Sequence, residues 1–345
     1  MTTDKNAEAY RRLRVPIFNG VAITGSGSAV PATTLDNKSL TQLVETSDEW
    51  ITTRTGISQR RLALPPESLT SLATTASQQA IAAAGINPED IDLILLATST
   101  PDDLFGSACR IQAELGAVKA VAFDLTAACS GFVFGLVTAA QYIKTGVYQN
   151  VLLIGGDILS RWVDWQDRRT CVLFGDGAGA IVLQASKSDR LLGFSLKSDG
   201  TQNHYLNIGY EGSAQELSPG INVTKGTYQP ISMNGKEVYR FAVQKVPEVI
   251  DKALFAANLT VDHIDWLVLH QANQRILNAV AERLNIPEHK VISNVSNYGN
   301  TSAASIPLAL DEAVRAGKIQ TNDIIATSGF GAGLSWGAAI FQWGR

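Results

Sequence analysis

The chain repeats itself. "NPEDIDLILLATST" at 87–100 resembles "TVDHIDWLVLHQAN" at 260–273, which sets Asp92 on Asp265 at an offset of 173. Each segment follows a helix-like run, ending "AIAAAGI" in one case and "ALFAANL" in the other. "AACSGFVFGLVTAAQYIKTG" resembles "YGNTSAASIPLALDEAVRAG", with Gly146 on Gly317 at an offset of 171. The strand-like "NVLLIGGD" and "DIIATSGF" set Val151 on Ile324, again 173 positions apart. Three matches in one order and nearly one offset argue for a duplicated half. Pseudo-twofold halves bring their equivalent helix starts close to a shared axis.

Each half alternates short buried strands with helices. "SLATTASQQAIAAAG" has helical spacing and a glycine stop, "IDLILLAT" and "NVLLIGGD" are apolar strands, and "GFVFGLVTAAQYIKTG" is an apolar helix ending in Lys144 and Gly146. Apolar strands of this kind lie in sheets covered on both faces, so the class is α/β.

The 345 residues, 45% hydrophobic and 17% charged, suffice for a large core in two domains or one. A net charge of −4 gives no bulk attraction to nucleic acid or an anionic membrane, and no basic–aromatic interleaving suggests base stacking. The apolar runs fall far short of the roughly 20 residues of a spanning helix. "MTTDKNAEAYRRLRVP" has no apolar core of a signal peptide, and Asp4 and Glu8 argue against a transit peptide. Cys109, Cys129 and Cys171 are odd in number without C-x-x-C spacing, as free thiols in a reducing cytoplasm would be.

Three chemically capable residues fall at strand–helix junctions, where α/β proteins keep ligand sites. Cys129 in "DLTAACSGF" precedes the apolar helix. Against its N-terminus the unpaired N–H groups favour thiolate, a nucleophile for acyl carbon. The competing reading is a small buried hydrophobe, the common fate of free Cys, and Cys109 and Cys171 stay with it. An offset of 171 sets Cys129 on Asn300, and an offset of 173 sets His270 on Ala97. His270 ends the strand "DWLVL", and its competing reading is a satisfied core histidine. None of the four histidines has metal-ligand spacing, so neither a metal nor another cofactor is expected. Neutral His and Asn both donate hydrogen bonds to a developing enolate or oxyanion. The glycine-rich "SGFGAGLSWG" at 328–337 is either a tight turn or a backbone oxyanion site. "GDGAGA" and "TGSGSA" complete no G-x-G-x-x-G and lack a Walker lysine, so neither is read as a nucleotide loop.

From about Gly20 to the C-terminus the chain resembles the β-ketoacyl-[acyl-carrier-protein] synthase III family, the initiating condensing enzymes of type II fatty acid synthesis. The motifs are "TSDEWITTRTGI", "AACSGF", "FGDGAGA", "HQAN", "GNTSAAS" and "GFGAGLSWG". The Cys–His–Asn set separates this family from thiolases and elongating synthases, which carry Cys–His–Cys and Cys–His–His sets. The resemblance implies a thiolase-like fold, two duplicated halves in a five-layered αβαβα arrangement. It sets a frayed extension at 1–18, a half carrying the nucleophile at 19–190, and a half carrying His270 and Asn300 at 191–345.

It further implies ping-pong chemistry. Cys129 takes acetyl from acetyl-CoA, with the amides of Cys129 and Ala332 as oxyanion hole. His270 and Asn300 then stabilise the enolate formed as malonyl-acyl carrier protein (ACP) loses CO2, giving acetoacetyl-ACP. By the same resemblance CoA lies on Thr46, Trp50, Arg54, Arg168 and Asn273, with Trp50 and Arg168 sandwiching its adenine. The acyl pocket is Phe105, Leu159 and Phe330, with Phe105 reaching into the partner of a homodimer. The acidic carrier protein meets Gln271, Ala272, Asn273, Gln274, Arg275 and Arg240. Without the resemblance Arg168 reads as a solvated surface charge. The sequence departs from the family at Glu282, where a basic residue often stands, and at Ala332, where glycine is common.

Two alternatives stay open. One is a synthase of the same fold using branched or longer acyl starters, or serving secondary metabolism. The other is a cysteine hydrolase with Asn300 as orienting residue, against which the repeat and the lack of a protease-type signature argue.

Overall fold

The structure is a computed structural model that describes residues 20–344. The expected extension at 1–18 lies outside the described residues. Nine strands form two principal sheets. In the first half these are β1 (Gly20–Ala29), β2 (Leu93–Ala97), β3 (Val121–Leu125), β4 (Asn150–Ile158) and β5 (Asp176–Ser186). In the second they are β6 (Leu191–Ser198), β7 (Trp266–Leu269), β8 (Ile324–Gly331) and β9 (Ser335–Gln342).

The first sheet runs β1-β5-β4-β2-β3 and the second β6-β9-β8-β7, the same order without the last strand. Orientation repeats too: β2 and β4 pair in parallel, as do β7 and β8, and the pairs β1–β5, β5–β4, β6–β9 and β9–β8 are antiparallel. Leu93 stands opposite Val151, and Trp266 opposite Ile325, so register repeats to within one residue. The missing fifth strand survives as a single parallel bridge from Leu267 to Val291.

Helices Gly131–Lys144 and Ser305–Arg315 lie between the sheets. Phe132, Leu136 and Ile143 of the first and Ile306 and Leu310 of the second share a core with Leu93 and Leu153 of one sheet and Ile325 and Phe341 of the other. Each such side chain contributes roughly 1.5–3 kcal/mol on burial. Helices Leu69–Ala84 and Ala108–Leu115 cover the outer face of the first sheet through Ile94, Leu152 and Val182. Helices Gly235–Ala256 and Gln274–Arg283 cover the second through Leu267, Ala326 and Ile340. The result is five layers, αβαβα, with β2 buried along its whole length, as two-sided cover requires. The helix expected from "SLATTASQQAIAAAG" starts at a Ser68–Ser71 capping box and stops at Gly85, whose φ is 67°.

The halves interlock at two glycines. A Cβ on Gly155 of β4 would stand 2.2 Å from the Ala303 carbonyl oxygen, and one on Gly329 of β8 would stand 3.1 Å from the Cys129 carbonyl oxygen. These contacts exchange under an offset of 174. The two central helices begin alike, each after a 3₁₀ turn, Ala128–Ser130 and Ser302–Ala304, whose first residues hold φ of 47° and 52°. Helix start Gly131 therefore corresponds to Ser305, and Cys129 to Ala303. The sequence offset of 171, which set Cys129 on Asn300, is corrected by three positions. Asn300 precedes its turn, whereas Cys129 lies within its own. The glycines of "TGSGSA" and "GDGAGA" serve packing: Cβ atoms on Gly27 and Gly179 would strike Ala76 of one helix and Pro307 of another.

Candidate active site

Cys129 sits one turn before the Gly131–Lys144 helix and is 8% exposed. Gly331 of β8 lies against it: a Cβ there would come within 2.7 Å of the Cys129 amide nitrogen and 3.1 Å of its Cβ. Burial pushes the Cys129 thiol up to about 12, opposed by a hydrogen bond with the Ser302 side chain. The expectation of a resting thiolate is thus corrected. Desolvation outweighs the helix terminus, and the thiol keeps its proton at neutral pH.

His270 follows β7 and is 1% exposed. Burial pulls its pKa down to about 3, so the ring is neutral at physiological pH. Ser305 Oγ accepts a hydrogen bond from the Gln271 amide at 3.2 Å and lies 2.7 Å from His270 Nδ1. The Ser305 hydroxyl therefore engages Nδ1, in a hydrogen bond whose direction goes with the ring tautomer, and leaves Nε2 free of it. The Phe330 ring stands edge-on to the imidazole at 5.3 Å between centroids.

Asn300 is held through its backbone: its N–H donates to the Leu173 carbonyl at 2.8 Å, and its carbonyl accepts from Gly175 N at 3.0 Å. Its Oδ1 accepts from Ser302 N at 2.9 Å, and among the described residues nothing accepts from Nδ2. The amide therefore presents a donor. Cys129 meets the Asn300 turn through Ser302 and lies against Gly329 and Gly331, which flank Phe330 beside His270. The end of β8 is thus the hub at which the three expected residues gather.

The turn from Ala332 to Leu334 joins β8 to β9, so "GFGAGLSWG" is both a turn and part of the site. Ser335 Oγ lies 2.7 Å from Ser130 Oγ and hydrogen-bonds the carbonyls of Ala127 and Ala332, each at 3.2 Å. These hydroxyls tie the glycine-rich turn to the nucleophile turn. Ala332 has no left-handed φ, which explains why alanine is accepted where glycine is common.

Cys129 and Ala332 border a mostly apolar cavity of about 960 Å³. Leu159 lines it as expected. Phe330 is not among its lining residues and supports His270 instead. Phe105 is 99% exposed and touches the cavity of its own chain nowhere. The sequence reading missed Phe134, Trp162, Phe174 and Tyr228, which do line the cavity. Tyr228 ends an exposed hairpin, Tyr210–Ser218 with Ile221–Tyr228, and meets Trp162 edge-on at 6.1 Å.

The expected CoA residues cluster. The Arg168 guanidinium carbon stands 4.7 Å from the Trp50 ring centroid and that of Arg54 5.9 Å, while Arg168 Nη1 donates to Glu45 O at 2.6 Å. At 4.7 Å the two stack directly on each other, so a base entering between them must part them. Asn273 caps the Gln274–Arg283 helix and donates from Nδ2 to Arg54 O at 3.1 Å, and Thr46 Oγ1 is buried with no partner. Among the docking candidates, Arg275 lies 5.5 Å over the Tyr239 ring, and Arg240 is exposed beside Glu237. Gln271 is corrected: at 1% exposure it donates to Leu269 O and accepts from Asn294 N, which makes it framework rather than docking surface. Among the described residues no His, Cys, Asp and Glu gather to hold a metal ion, and no helix is long and apolar enough to cross a membrane.

Fold and site together point to a thiolase-fold condensing enzyme, an acyltransferase. Comparison with known proteins narrows the class. Residues 123–200 match the family 3-oxoacyl-[acyl-carrier-protein] synthase III, and residues 254–343 match its C-terminal region. The chain is 82% identical to beta-ketoacyl-[acyl-carrier-protein] synthase III of Trichormus variabilis over 326 residues, 94% of this chain and 99% of that one. Against the enzyme of that name from Trichodesmium erythraeum identity is 71%, covering 94% and 98%. The crystal structure of 3-oxoacyl-[acyl-carrier-protein] synthase III from Aquifex aeolicus superposes with a TM-score of 0.86 at 44% identity, covering 94% of this chain and all of that one. The chain belongs to the β-ketoacyl-[acyl-carrier-protein] synthase III family, the acyltransferases that initiate fatty acid synthesis.

Proposed function

We propose that the chain condenses acetyl-CoA with malonyl-ACP, through acetyl-Cys129, to acetoacetyl-ACP, CO2 and CoA. The observation that carries this is the neutral His270 with its Nδ1 engaged by Ser305; with the serine O–H donating to Nδ1, Nε2–H is left to donate to substrate. Cys129 sulfur attacks the acetyl carbonyl, its proton leaves on the CoA thiol, and the amides of Cys129 and Ala332 hold the oxyanion. Such a donor is worth about 2.7–4 kcal/mol in the barrier. Malonyl-ACP then loses CO2. The electron pair of the broken C–C bond enters the thioester, where His270 Nε2–H and Asn300 Nδ2–H receive the charge. The enolate carbon attacks the acetyl carbonyl, and the Cys129 thiolate departs and is reprotonated. Decarboxylation generates the carbanion, so no carboxylate base is needed.

Trp50, Arg54, Arg168, Thr46 and Asn273 hold CoA, and the exposed Arg240 and Arg275 meet the acidic carrier protein. The halves divide at 190/191. A homodimer is supported by exposed Leu104 (79%) and Phe105 (99%) and by the unpaired edge β3 with half-exposed Val121 and Phe123. Free cysteines support a cytoplasmic setting. The size of the apolar cavity favours one second reading, a longer or branched acyl-CoA starter.

The test supplies labelled acetyl-CoA, then malonyl-ACP. A label on cysteine that moves into a four-carbon ketoacyl product is the expected result, and release of free acetate without a carbon–carbon bond contradicts it. Acceptance of label by Cys129→Ser at the parent rate contradicts the assigned nucleophile. Preference for longer starters over acetyl-CoA favours the second reading.

A further inference from the structure

Arg60 is fully buried, at 0% exposure, yet among the described residues no carboxylate forms a salt bridge with it. Burial pulls its guanidinium down to about 10, so it remains a cation at neutral pH. The Asp36 carboxylate attracts it only at longer range, and a buried charge without a salt bridge is costly, where an apolar residue of similar size would avoid that cost. What Arg60 touches gives the reason for keeping it.

Its Nη2 donates to Val172 O at 2.8 Å, and its Nη1 donates to Asn37 Oδ1 at 2.9 Å and to Leu35 O at 3.2 Å. Val172 opens the segment that flanks Asn300. Leu173 accepts from the Asn300 amide, Gly175 donates to its carbonyl, and Phe174 forms a parallel bridge with it. The arginine stem fills the space beside this pairing. A Cβ on Gly175 would stand 3.1 Å, and one on Gly299 3.5 Å, from the Arg60 Cβ. Gly299 holds φ of 65°, which favours glycine. At the other end, Asn37 Nδ2 donates to Asp48 Oδ1 at 2.8 Å, the first residue of helix Asp48–Thr55, which carries Trp50 and Arg54.

We propose that Arg60 is a positioning residue for Asn300: its guanidinium fixes the Val172–Gly175 segment, and through it the Asn300 backbone, against the helix that bears Trp50. The proposal rests on the reading that Asn300 donates to the enolate. Arg60 then acts on malonyl condensation rather than on the acetyl-transfer step at saturating acetyl-CoA, although it touches no substrate; its link to the Trp50 helix acts on the acetyl-CoA concentration needed. Side chains that carry chemistry through another residue couple energetically to it, and a double-mutant cycle reads that coupling.

The experiment compares parent, Arg60→Lys, Asn300→Ala and the double variant, full-length, in two half-reactions: acetyl transfer from saturating acetyl-CoA to Cys129, followed by intact mass, and condensation of the acetylated enzyme with malonyl-ACP. Lysine keeps the charge but not the fork that spans Val172 O and Asn37 Oδ1. Arg60→Lys is expected to acetylate within about twofold of the parent and to lose condensation about tenfold, the loss of a charge-assisted hydrogen bond. In the Asn300→Ala background the same change is expected to add less than about twofold. Equal loss in both half-reactions marks a general structural role and overturns the proposal, as does a full additional loss in the double variant or parent-like condensation by Arg60→Lys. Parent-like condensation by Asn300→Ala alone overturns the underlying reading of Asn300, and the proposal with it.

Discussion

Ser305 Oγ stands 2.7 Å from His270 Nδ1, in the place where the first half of the molecule sets Gly131 against Ala97. The two contacts are copies under the duplication. In the first half the pair only fills space, since a Cβ on Gly131 would meet the Ala97 Cβ at 3.3 Å. In the second, the same geometry carries a hydrogen bond to the imidazole. In the proposed mechanism one half supplies the nucleophile and the other the enolate donors, and the duplicated contact holds different side chains in the two.

Ser305→Ala removes the hydrogen bond that, in the proposed mechanism, keeps the ring proton on Nε2. Free to take either tautomer, His270 presents Nε2–H for only part of the time. Condensation in single turnover should fall about tenfold while acetylation of Cys129 stays near the parent rate. Equal loss in both steps would show that the serine only supports the fold.

Gly331→Ala sets a methyl 2.7 Å from the Cys129 amide nitrogen, a backbone atom that moves only with its whole turn. The nucleophile turn has to shift. Overpacking of this kind costs about 1–3 kcal/mol of stability, measurable by denaturant unfolding. Acetylation should fall at least about a hundredfold, since in the proposed mechanism the displaced amide is also an oxyanion donor.

Ser335→Ala cuts the hydroxyl link between the Ala332 turn and Ser130. The Ala332 amide stays in the chain but is held less firmly. Acetylation should slow about tenfold, less than the ~10²–10³-fold that follows outright loss of an oxyanion donor. A rate unchanged from the parent would show that the turn needs no tether.

The pH dependences of the two half-reactions should differ. Burial raises Cys129 to about 12, so the thiolate fraction grows through the neutral and alkaline range, and acetylation should speed up with pH. Burial lowers His270 to about 3, so the ring stays neutral above that value, and condensation by acetylated enzyme should show no histidine step near 6.5. Stability follows the opposite edge. The unfolded histidine binds a proton near 6.5 and the folded one only near 3, so this residue destabilises the fold progressively as pH drops between those values. A bell centred near 6.5 in the condensation step would contradict the neutral ring.

Much of the fold was legible because duplication leaves its mark in sequence. The strands "IDLILLAT" and "NVLLIGGD" appear as β2 and β4, and His270 does correspond to Ala97. Register at the turns was not legible. The 171 offset set Cys129 on Asn300, whereas left-handed Ala128 and Ser302 show the equivalent turns at 174, a backbone feature that residue identity does not announce. Cys129, His270 and Asn300 stood out because each is a reactive type in a recognisable motif. Ser302 and Ser305 did not, although they lie inside "GNTSAAS", because their roles depend on which atoms face the site. Trp162 and Tyr228 reach the cavity from distant segments, and Gln271, beside His270 in sequence, turns inward. Arg60 reads as one more basic residue in "SQRRLA" until its burial is known.

The division of labour between the halves is tested most directly by His270→Ala, given acetyl-CoA and then malonyl-ACP, with intact mass recorded after each addition. The expected result is full acetylation of Cys129 and an acetyl group that stays in place when malonyl-ACP is added. Failure to acetylate, or transfer of the acetyl group at the parent rate, would contradict it.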